Sequence, residues 1–243
     1  VLSLGIVPVG AATAGDADLV PAYLKTKFSN KSAELAKIAK VGKRTDPDLE
    51  AIANLKPDLI LINNTNKKDE VYESLAKIAP TVVTEGTGIN WKQDFLLIAA
   101  ALGTTEKAEK LMDEYNTKAK SVGQKAGSEK TFSFLYTSAD RTRIFAKSSF
   151  VGSICADASL ARPAVAQVEK TSIDLSSEQL DQADGLFYGV QGGDESKLTG
   201  EALWSTLKAV TEKHAHSVDS DMFFLNAGPA AALGVLETIE KAL

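Results

Sequence analysis

Short apolar runs typical of strands alternate along the chain with stretches whose apolar residues recur at helical spacing. Strands are predicted at 6–10, 57–63, 80–84, 131–136, 143–146, 185–190 and 215–218. Helices are predicted at 48–55, 69–79, 91–102, 150–160, 200–210 and 229–243, with another beginning at 176–180. This alternation indicates an α/β fold with mainly parallel central sheets.

One predicted helix, from 104 to 124, is much longer than the others. A helix of about 20 residues spans roughly 30 Å, which is long for a connection inside a small lobe and natural for a rod between two lobes. We therefore expect an N-terminal α/β lobe at 1–103, a connecting helix at 104–127 and a C-terminal α/β lobe at 128–243. Each lobe is expected to have three layers.

Composition excludes several classes of protein. The chain has 243 residues, with 27 Lys and Arg against 32 Asp and Glu, and this net charge of −5 argues against nucleic acid or an anionic membrane surface as the main partner. Apolar residues make up 44% of the chain, enough for a real core. The first residues, Val1–Gly5, are typical of the end of a helix, so we expect part of the native N-terminus to precede them.

The sequence offers little material for a metal site or a hydrolase. Cys155 is the single cysteine, so an internal disulfide and a cysteine-based zinc cluster are excluded. His214 and His216 are the two histidines, and we expect a hydrogen-bonded or solvated pair rather than metal ligands. No Gly-x-Ser-x-Gly or Walker motif is present.

Arginine is rare and unevenly placed. The chain has four arginines against 23 lysines (27 − 4), and each arginine falls in a predicted loop, at 42–45, 139–143 or 161–163. Loops at strand ends line the ligand crevice in open α/β sheets, and the guanidinium fork suits carboxylate or catecholate oxygens. Ordinary surface salt bridges are the alternative for one or two of them. The predicted anion-binding residues are Arg44, Arg141, Arg143 and Arg162, together with Lys43.

Aromatic residues beside strand ends could form the walls of such a crevice. Phe223 and Phe224 lie in a predicted loop between the last strand and the last helix, and Trp91 and Tyr188 lie beside other strand-end loops. The alternative for each of them is a place in the core. We predict ligand contacts for all four, because a crevice that takes a bulky ligand needs such walls.

Several segments together resemble a known family. Val41-Gly42, the run from Asp48 to Leu61 with its Leu-Lys-Pro-Asp-Leu-Ile stretch, and the segments 75–82, 173–180 and 203–210 are similar to the substrate-binding proteins of iron–siderophore ABC importers. The resemblance covers nearly the whole chain. It implies a two-lobed, non-enzymatic receptor that grips its ligand between lobes joined by a long helix.

The resemblance also implies partners and a location. A monomeric receptor of this kind lies outside the cytoplasm, in the periplasm or lipid-anchored on the outer face of the membrane, and docks onto an ABC permease. The family presents one acidic residue per lobe to the permease, at positions that match Asp69 or Glu70 and Asp194 or Glu195. Their alternative is a role as helix-start and loop carboxylates.

The ligand expected from the resemblance is a ferric siderophore that fills the coordination sphere of iron, so no protein cofactor or metal ligand is needed. The arginines favour an anionic catecholate or citrate-type chelate over a hydroxamate. Haem, with Tyr136 or Tyr188 as axial ligand, and cobalamin remain alternatives. A metal-dependent enzyme and a surface-adhesion protein are the competing classes.

Overall fold

The computed structural model describes residues 1–14, 18–64, 69–86, 88–138, 141–175, 183–202 and 204–243. The chain divides into two compact units. The first comprises Val1–Gly86 and Asn90–Leu111, and the second comprises Thr87–Ile89 and Met112–Leu243. The change of unit after Leu111 falls inside the long helix, whereas the sequence analysis treated that helix as a separate connecting element.

The described residues form ten strands. They are β1 (Gly10–Thr13), β2 (Ala39–Lys43), β3 (Asp46–Pro47), β4 (Ile60–Asn63), β5 (Thr81–Thr84), β6 (Phe132–Ser138), β7 (Arg141–Phe145), β8 (Ser172–Leu175), β9 (Gly185–Val190) and β10 (Ala215–Ser217). Four of the seven strand pairings among these residues are parallel. The predicted α/β class is confirmed.

Ten α-helices and one π-helical turn are described. The helices are α1 (Ala22–Lys27), α2 (Ser32–Leu35), α3 (Leu49–Leu55), α4 (Asp69–Ala76), α5 (Trp91–Ala101), α6 (Thr105–Ala126), α7 (Phe150–Asp157), α8 (Ser196–Thr199), α9 (Lys208–Thr211) and α10 (Pro229–Ala242). The π-helical turn, hereafter the π-turn, is Asp221–Leu225.

Three local predictions differ from the structure. The first strand begins at Gly10, where the predicted strand 6–10 ends. The predicted helix 200–210 is instead two short pieces, a 3-10 turn at Trp204–Thr206 and α9, because the backbone of Leu207 between them is extended (φ −64°, ψ 136°). Phe223 and Phe224 lie in the π-turn rather than in a loop. The helix predicted to begin at 176–180 lies outside the described residues.

In the first unit, β1 pairs in parallel with β2, and β4 pairs in parallel with β5. After β2 the chain turns back at once, and Gly42 has φ +87°, with a Cβ there only 2.6 Å from Asp48 N. Asp48 then begins α3 by accepting a hydrogen bond from Ala51 N over 2.9 Å. These elements close over a core cluster of Val41, Ile52, Ile60, Leu75 and Ala79.

In the second unit the strands form one sheet in the order β10-β9-β6-β7-β8. The three strands β10, β9 and β6 are parallel, β7 is antiparallel to β6, and β8 is antiparallel to β7. One face carries an apolar cluster that includes Leu135, Ile144, Leu186, Tyr188, Leu198, Trp204 and Leu207. The opposite face carries the rings of Phe134, Phe187 and Phe223, stacked with centroids 5.4 to 6.3 Å apart.

The long helix α6 is held in the second unit by two features. Tyr115 is fully buried and donates to Asp157 Oδ2 of α7 over 2.5 Å. About two turns further along α6, Gly123 lies so close to the end of α7 that a Cβ would be 1.9 Å from Ala158 O. Glycine at this position therefore permits a helix approach that any side chain would block.

Candidate anion-binding site

An aromatic and cationic cluster lies where β6 and β7 meet the π-turn. Antiparallel pairing sets Tyr136 opposite Arg143, so the two share a face of the sheet, and Phe145 shares it by strand alternation. Phe224 stacks on Tyr136 with ring centroids 5.3 Å apart and lies 4.9 Å from Phe145. We call these four residues, Tyr136, Arg143, Phe145 and Phe224, the Arg143 corner.

The guanidinium of Arg143 lies over aromatic rings, with Cζ 5.6 Å from the centroid of Tyr136 and 5.9 Å from that of Phe145. Its Nη2 donates to Ser138 Oγ over 3.2 Å. Its Nε is buried and has no hydrogen-bond partner among the described residues. Because buried N–H groups normally have acceptors, the half-buried guanidinium offers donor capacity suited to an anionic oxygen.

Tyr136 supplies a second polar group. Its side chain is 3% exposed, and burial raises the pKa of its hydroxyl above the ordinary value. Arg143 partly offsets that rise in pKa, and the carboxylate of Asp221 adds to it. The hydroxyl is therefore protonated at neutral pH and acts as a neutral donor.

The corner lies at the carboxyl edge of the parallel strands. β6 ends at Ser138 and β9 at Val190, and because the two strands are parallel their ends lie at one edge of the sheet. Ligands of open α/β sheets bind outside the carboxyl ends of the strands. The position of the corner is thus the one that sequence reasoning assigned to the arginine-rich loops.

Arg141 and Arg143 belong to β7, so the predicted loop at 139–143 is wrong for both, and the strand predicted at 143–146 begins two residues too late. Arg141 is exposed and its Nη1 lies 3.5 Å from Asp174 Oδ2 of the neighbouring strand. Both side chains of this ion pair are more than half exposed, so it contributes little to stability. Arg141 therefore presents its charge to solvent at the same sheet edge as the corner.

Arg162 has a different environment. It is 8% exposed, its Nε donates to Phe132 O over 2.8 Å, and its Nη2 donates to Phe145 O over 2.5 Å. The guanidinium lies 4.9 Å from the ring centroid of Phe134. A cation with two backbone acceptors beneath the sheet has a structural role, and its predicted contact with ligand stays a prediction.

Tyr188 and Phe223 are also buried. Phe223 is 0% exposed and packs between Phe134 and Phe187. Tyr188 pairs with Leu135, one residue from the Tyr136–Gly189 pair, so it lies on the opposite face of the sheet from the corner. The structure therefore separates Tyr188 from Phe224, although both were predicted to line one crevice.

The hydroxyl of Tyr188 instead donates to Glu195 Oε2 over 3.2 Å, and Ser217 Oγ donates to Glu195 Oε1 over 2.5 Å. The exposed carboxylate of Glu195 is thus held from two neighbouring strands. Asp194 accepts from Ser196 N and Ser196 Oγ through the same oxygen, and these bonds lower its pKa. Of the two acidic residues, Glu195 has the more fixed carboxylate.

In the first unit the predicted residues are placed as follows. Lys43 ends β2, and Arg44 follows in the turn, with both side chains exposed. Trp91 is the first residue of α5 and is 2% exposed, so it belongs to the core of its unit in this structure. Glu70 is exposed in the first turn of α4, which begins at Asp69.

The described residues contain no group of three or more His, Cys, Asp or Glu side chains arranged to hold a metal ion. His216 stacks on Phe187 with ring centroids 5.5 Å apart, and burial lowers its pKa. Among the helices that the structure describes, none combines the length and the apolar character required to cross a bilayer.

Sequence reasoning missed two residues of the corner. Tyr136 was named only as a possible axial ligand for haem, and Phe145 was not named. The signal for both is alternation: Phe134 and Tyr136 on β6, and Arg143 and Phe145 on β7, each stand two residues apart and so face the same way. Antiparallel pairing of β6 with β7, which local pattern does not give, then brings the pairs together.

Comparison with known proteins identifies the family. A model of the family described as "Periplasmic binding protein" matches residues 2–222. The chain belongs to this family. The relationship confirms the family that the sequence resembles, and members of the family are substrate-binding proteins of transport systems.

Individual relatives agree with that assignment. The chain is 32% identical to a Bacillus subtilis (strain 168) protein named "Probable siderophore-binding lipoprotein YfiY", over 98% of this chain and 77% of the relative. The crystal structure of Staphylococcus aureus SirA has a TM-score of 0.82 at 28% identity, covering 100% of this chain and 93% of that one. A second SirA structure, with a TM-score of 0.82, 28% identity and coverage of 99% and 87%, is a complex with staphyloferrin B.

Proposed function

We propose that this protein is the extracytoplasmic substrate-binding component of an ABC importer and that its cargo is an anionic ferric siderophore. The observation that carries the proposal is the Arg143 corner, where a half-buried guanidinium rests on aromatic rings at the carboxyl edge of the sheet and its Nε finds no acceptor in the part of the chain that the structure describes. The names of relatives, a siderophore-binding lipoprotein and a complex with staphyloferrin B, support the ligand class.

In this proposal Arg143 binds an anionic oxygen of the chelate through Nε and one terminal nitrogen, and the Tyr136 hydroxyl donates a further hydrogen bond. Phe224 and Phe145 form an apolar wall that excludes water and strengthens the charged contact. Arg141 adds attraction for the approaching anion from the same edge. Lys43 and Arg44 of the first unit stay predictions for further contacts.

The iron is cargo held by its siderophore, so the protein supplies no cofactor and no catalytic group. Glu70 or Asp69 in the first unit and Glu195 in the second are proposed to meet cationic groups of the permease. Glu195 is favoured over Asp194 because its carboxylate is held in place by Tyr188 and Ser217 before any partner arrives. The names of the relatives as lipoproteins support a place on the outer face of a membrane.

Calorimetric titration with a panel of ligands tests the proposal. The panel contains a ferric tris-catecholate, a ferric citrate-type chelate, a ferric trihydroxamate, haem and cobalamin, each followed by mass spectrometry of the recovered ligand. We expect submicromolar binding of one anionic ferric chelate and its recovery unchanged. Binding of the hydroxamate alone, or chemical conversion of the bound chelate, would contradict the proposal.

The contribution of the corner is tested with Arg143→Ala against Lys120→Ala, which removes the same charge from an exposed position of α6. Loss of a charged hydrogen bond of about 1.5–3 kcal/mol corresponds to an affinity about 10- to 150-fold lower. Lys120→Ala is expected to bind as the parent does. Equal affinities of both variants would remove the corner from the binding site.

A further inference from the structure

Phe224 of the π-turn forms part of the wall of the Arg143 corner. The π-turn packs against the sheet at Gly189 of β9, where there is no side chain. Tyr136 pairs across β6 and β9 with Gly189, so a side chain at 189 would share the face of Tyr136. A Cβ there would lie 2.5 Å from Ser220 Oγ, 3.0 Å from Phe224 Cε2 and 3.3 Å from Phe224 Cδ2. The ring of Phe224 therefore occupies the space that a residue at 189 would otherwise fill.

The π-turn has little freedom to move away from such a side chain. Its start is tied to the sheet, because Val218 N donates to Tyr188 O over 2.9 Å. Asp219 then accepts from Met222 N through Oδ1 and from Phe223 N through its backbone carbonyl, each over 3.0 Å. The Ser220 hydroxyl is the nearest group and can rotate to another side-chain rotamer, so the remaining displacement falls on the ring of Phe224.

The turn also packs against α10 through a second glycine. A Cβ on Gly234 would lie 2.4 Å from Met222 Sδ. Phe223, next in the chain, is fully buried against Phe134. The turn is thus held at Met222 and Phe223, while Phe224 remains half-buried and stacked on Tyr136.

We propose that Gly189 is a positioning residue for ligand binding: by having no side chain it lets Phe224 lie against Tyr136 and complete the wall of the Arg143 corner. Gly189 itself touches no ligand in this account. The inference rests on the proposed function for its effect on affinity, whereas the placement of Phe224 can be measured without any ligand.

The test uses Gly189→Val, with Gly185→Val as the matched control. Gly185 lies at the other end of β9 on the same face, and a side chain there meets Phe132, away from the corner. A lost aromatic contact of about 0.5–1.5 kcal/mol predicts that Gly189→Val lowers siderophore affinity about 2- to 12-fold, and that Gly185→Val leaves it unchanged. Unchanged affinity in Gly189→Val would overturn the inference.

A double-mutant cycle separates positioning from general damage. In the Phe224→Ala background, Gly189→Val should cause no further loss of affinity, because the ring through which Gly189 acts is gone. The same fold-loss in both backgrounds would show that Gly189 acts independently of Phe224 and would refute the inference. Gly189→Ala, a smaller insertion, replaces Gly189→Val if thermal unfolding shows that the valine variant does not fold.

A ligand-free readout keeps the two proposals distinct. The ring-proton NMR signals of Tyr136 carry the ring-current effect of Phe224, and we expect them to shift in Gly189→Val and in Phe224→Ala but not in Gly185→Val. If they do not move in Gly189→Val, the positioning role is wrong whatever binds. If they move as expected while the parent protein binds no siderophore in the panel, the proposed function fails and the placement of Phe224 by Gly189 stands.

Discussion

Two arginines of the second unit rest on neighbouring rings of the same strand face and yet have opposite roles. Arg162 lies over Phe134 in the interior, and Arg143 lies over Tyr136 two residues further along β6. Arg162 donates from Nε and Nη2 to two backbone carbonyls, whereas Nη2 of Arg143 donates to one hydroxyl. Among the described residues, Nη1 of Arg162 and Nε of Arg143 both have no acceptor. The two arginines therefore differ in burial and in anchoring to the backbone: Arg162 is 8% exposed and Arg143 is half-buried, so Arg143 is the more available to a ligand.

The largest expected effect on stability comes from replacing Arg162, the interior arginine. Arg162→Ala removes the donors of Phe132 O and Phe145 O and leaves a void beneath the sheet, so we expect a loss of about 3 kcal/mol in the free energy of unfolding. Urea denaturation measures it. Arg141→Ala is the control, since its exposed ion pair is worth about 0–1 kcal/mol. Equal destabilisation by the two variants would show that Arg162 is not a core residue.

A second interior polar contact offers an intermediate effect. Tyr115→Phe deletes the hydroxyl that donates to Asp157, so the expected loss is about 1–2 kcal/mol of unfolding free energy. Burial and Asp157 raise the pKa of Tyr115, so the phenol stays protonated throughout the working range of pH. Tyr72→Phe, at an exposed position of α4, should change stability by less than about 0.5 kcal/mol in the same denaturation experiment.

Replacing Arg143, which lies at the edge of the sheet, should change the free energy of unfolding only slightly. Arg143→Ala loses a cation–π contact and one hydrogen bond at a half-buried site, so we expect less than about 1 kcal/mol of destabilisation, alongside its large effect on affinity. Denaturation and calorimetry on one preparation measure both quantities. A stability loss as large as that of Arg162→Ala would erase the distinction between the two arginines.

The smallest expected effect concerns the pH dependence of stability and involves an ion-pair cluster between α6 and α10. Glu240 of α10 accepts from Lys118 and Lys125 of α6, and these contacts lower its pKa to about 2. A depressed carboxylate pKa stabilises the fold above the ordinary value of about 4.3, and that stability is lost as the pH falls towards the folded pKa. Between pH 6 and pH 2, the thermal unfolding temperature should therefore fall less steeply in Glu240→Gln than in the parent protein. Parallel curves would contradict this linkage.

The spacing of apolar residues predicted the regular strands and helices that have clear start or stop signals. The strand at 185–190 matches β9, and the helix predicted from Pro229 matches α10, because each has an unbroken period and a clear stop or start signal. The predicted helix 200–210 was wrong because the backbone is extended at Leu207, which the spacing of apolar residues does not reveal. Local residues thus fixed regular elements well and irregular ones poorly.

The candidate site was only partly predictable. Arginines at strand ends pointed to the edge of the sheet where the Arg143 corner lies, but the acceptors of Arg162 come from residues 17 and 30 positions away along the chain. Likewise, the separation of Tyr188 from Phe224 follows from the β6–β9 register. Such long-range pairing decides which arginine is anchored to backbone carbonyls, and a single sequence does not display it.

The π-turn has a consequence for how this receptor can diversify. The turn closes on itself through the hydrogen bond from Asn226 N to Asp221 O, and the bond from Val218 N to Tyr188 O ties the preceding segment to the sheet. In the proposed site, substitution of Phe224 would alter the wall of the Arg143 corner and leave the strand register intact, so relatives could exchange cargo by changes in one short segment. The strands of the sheet and the π-turn could thus change independently during evolution.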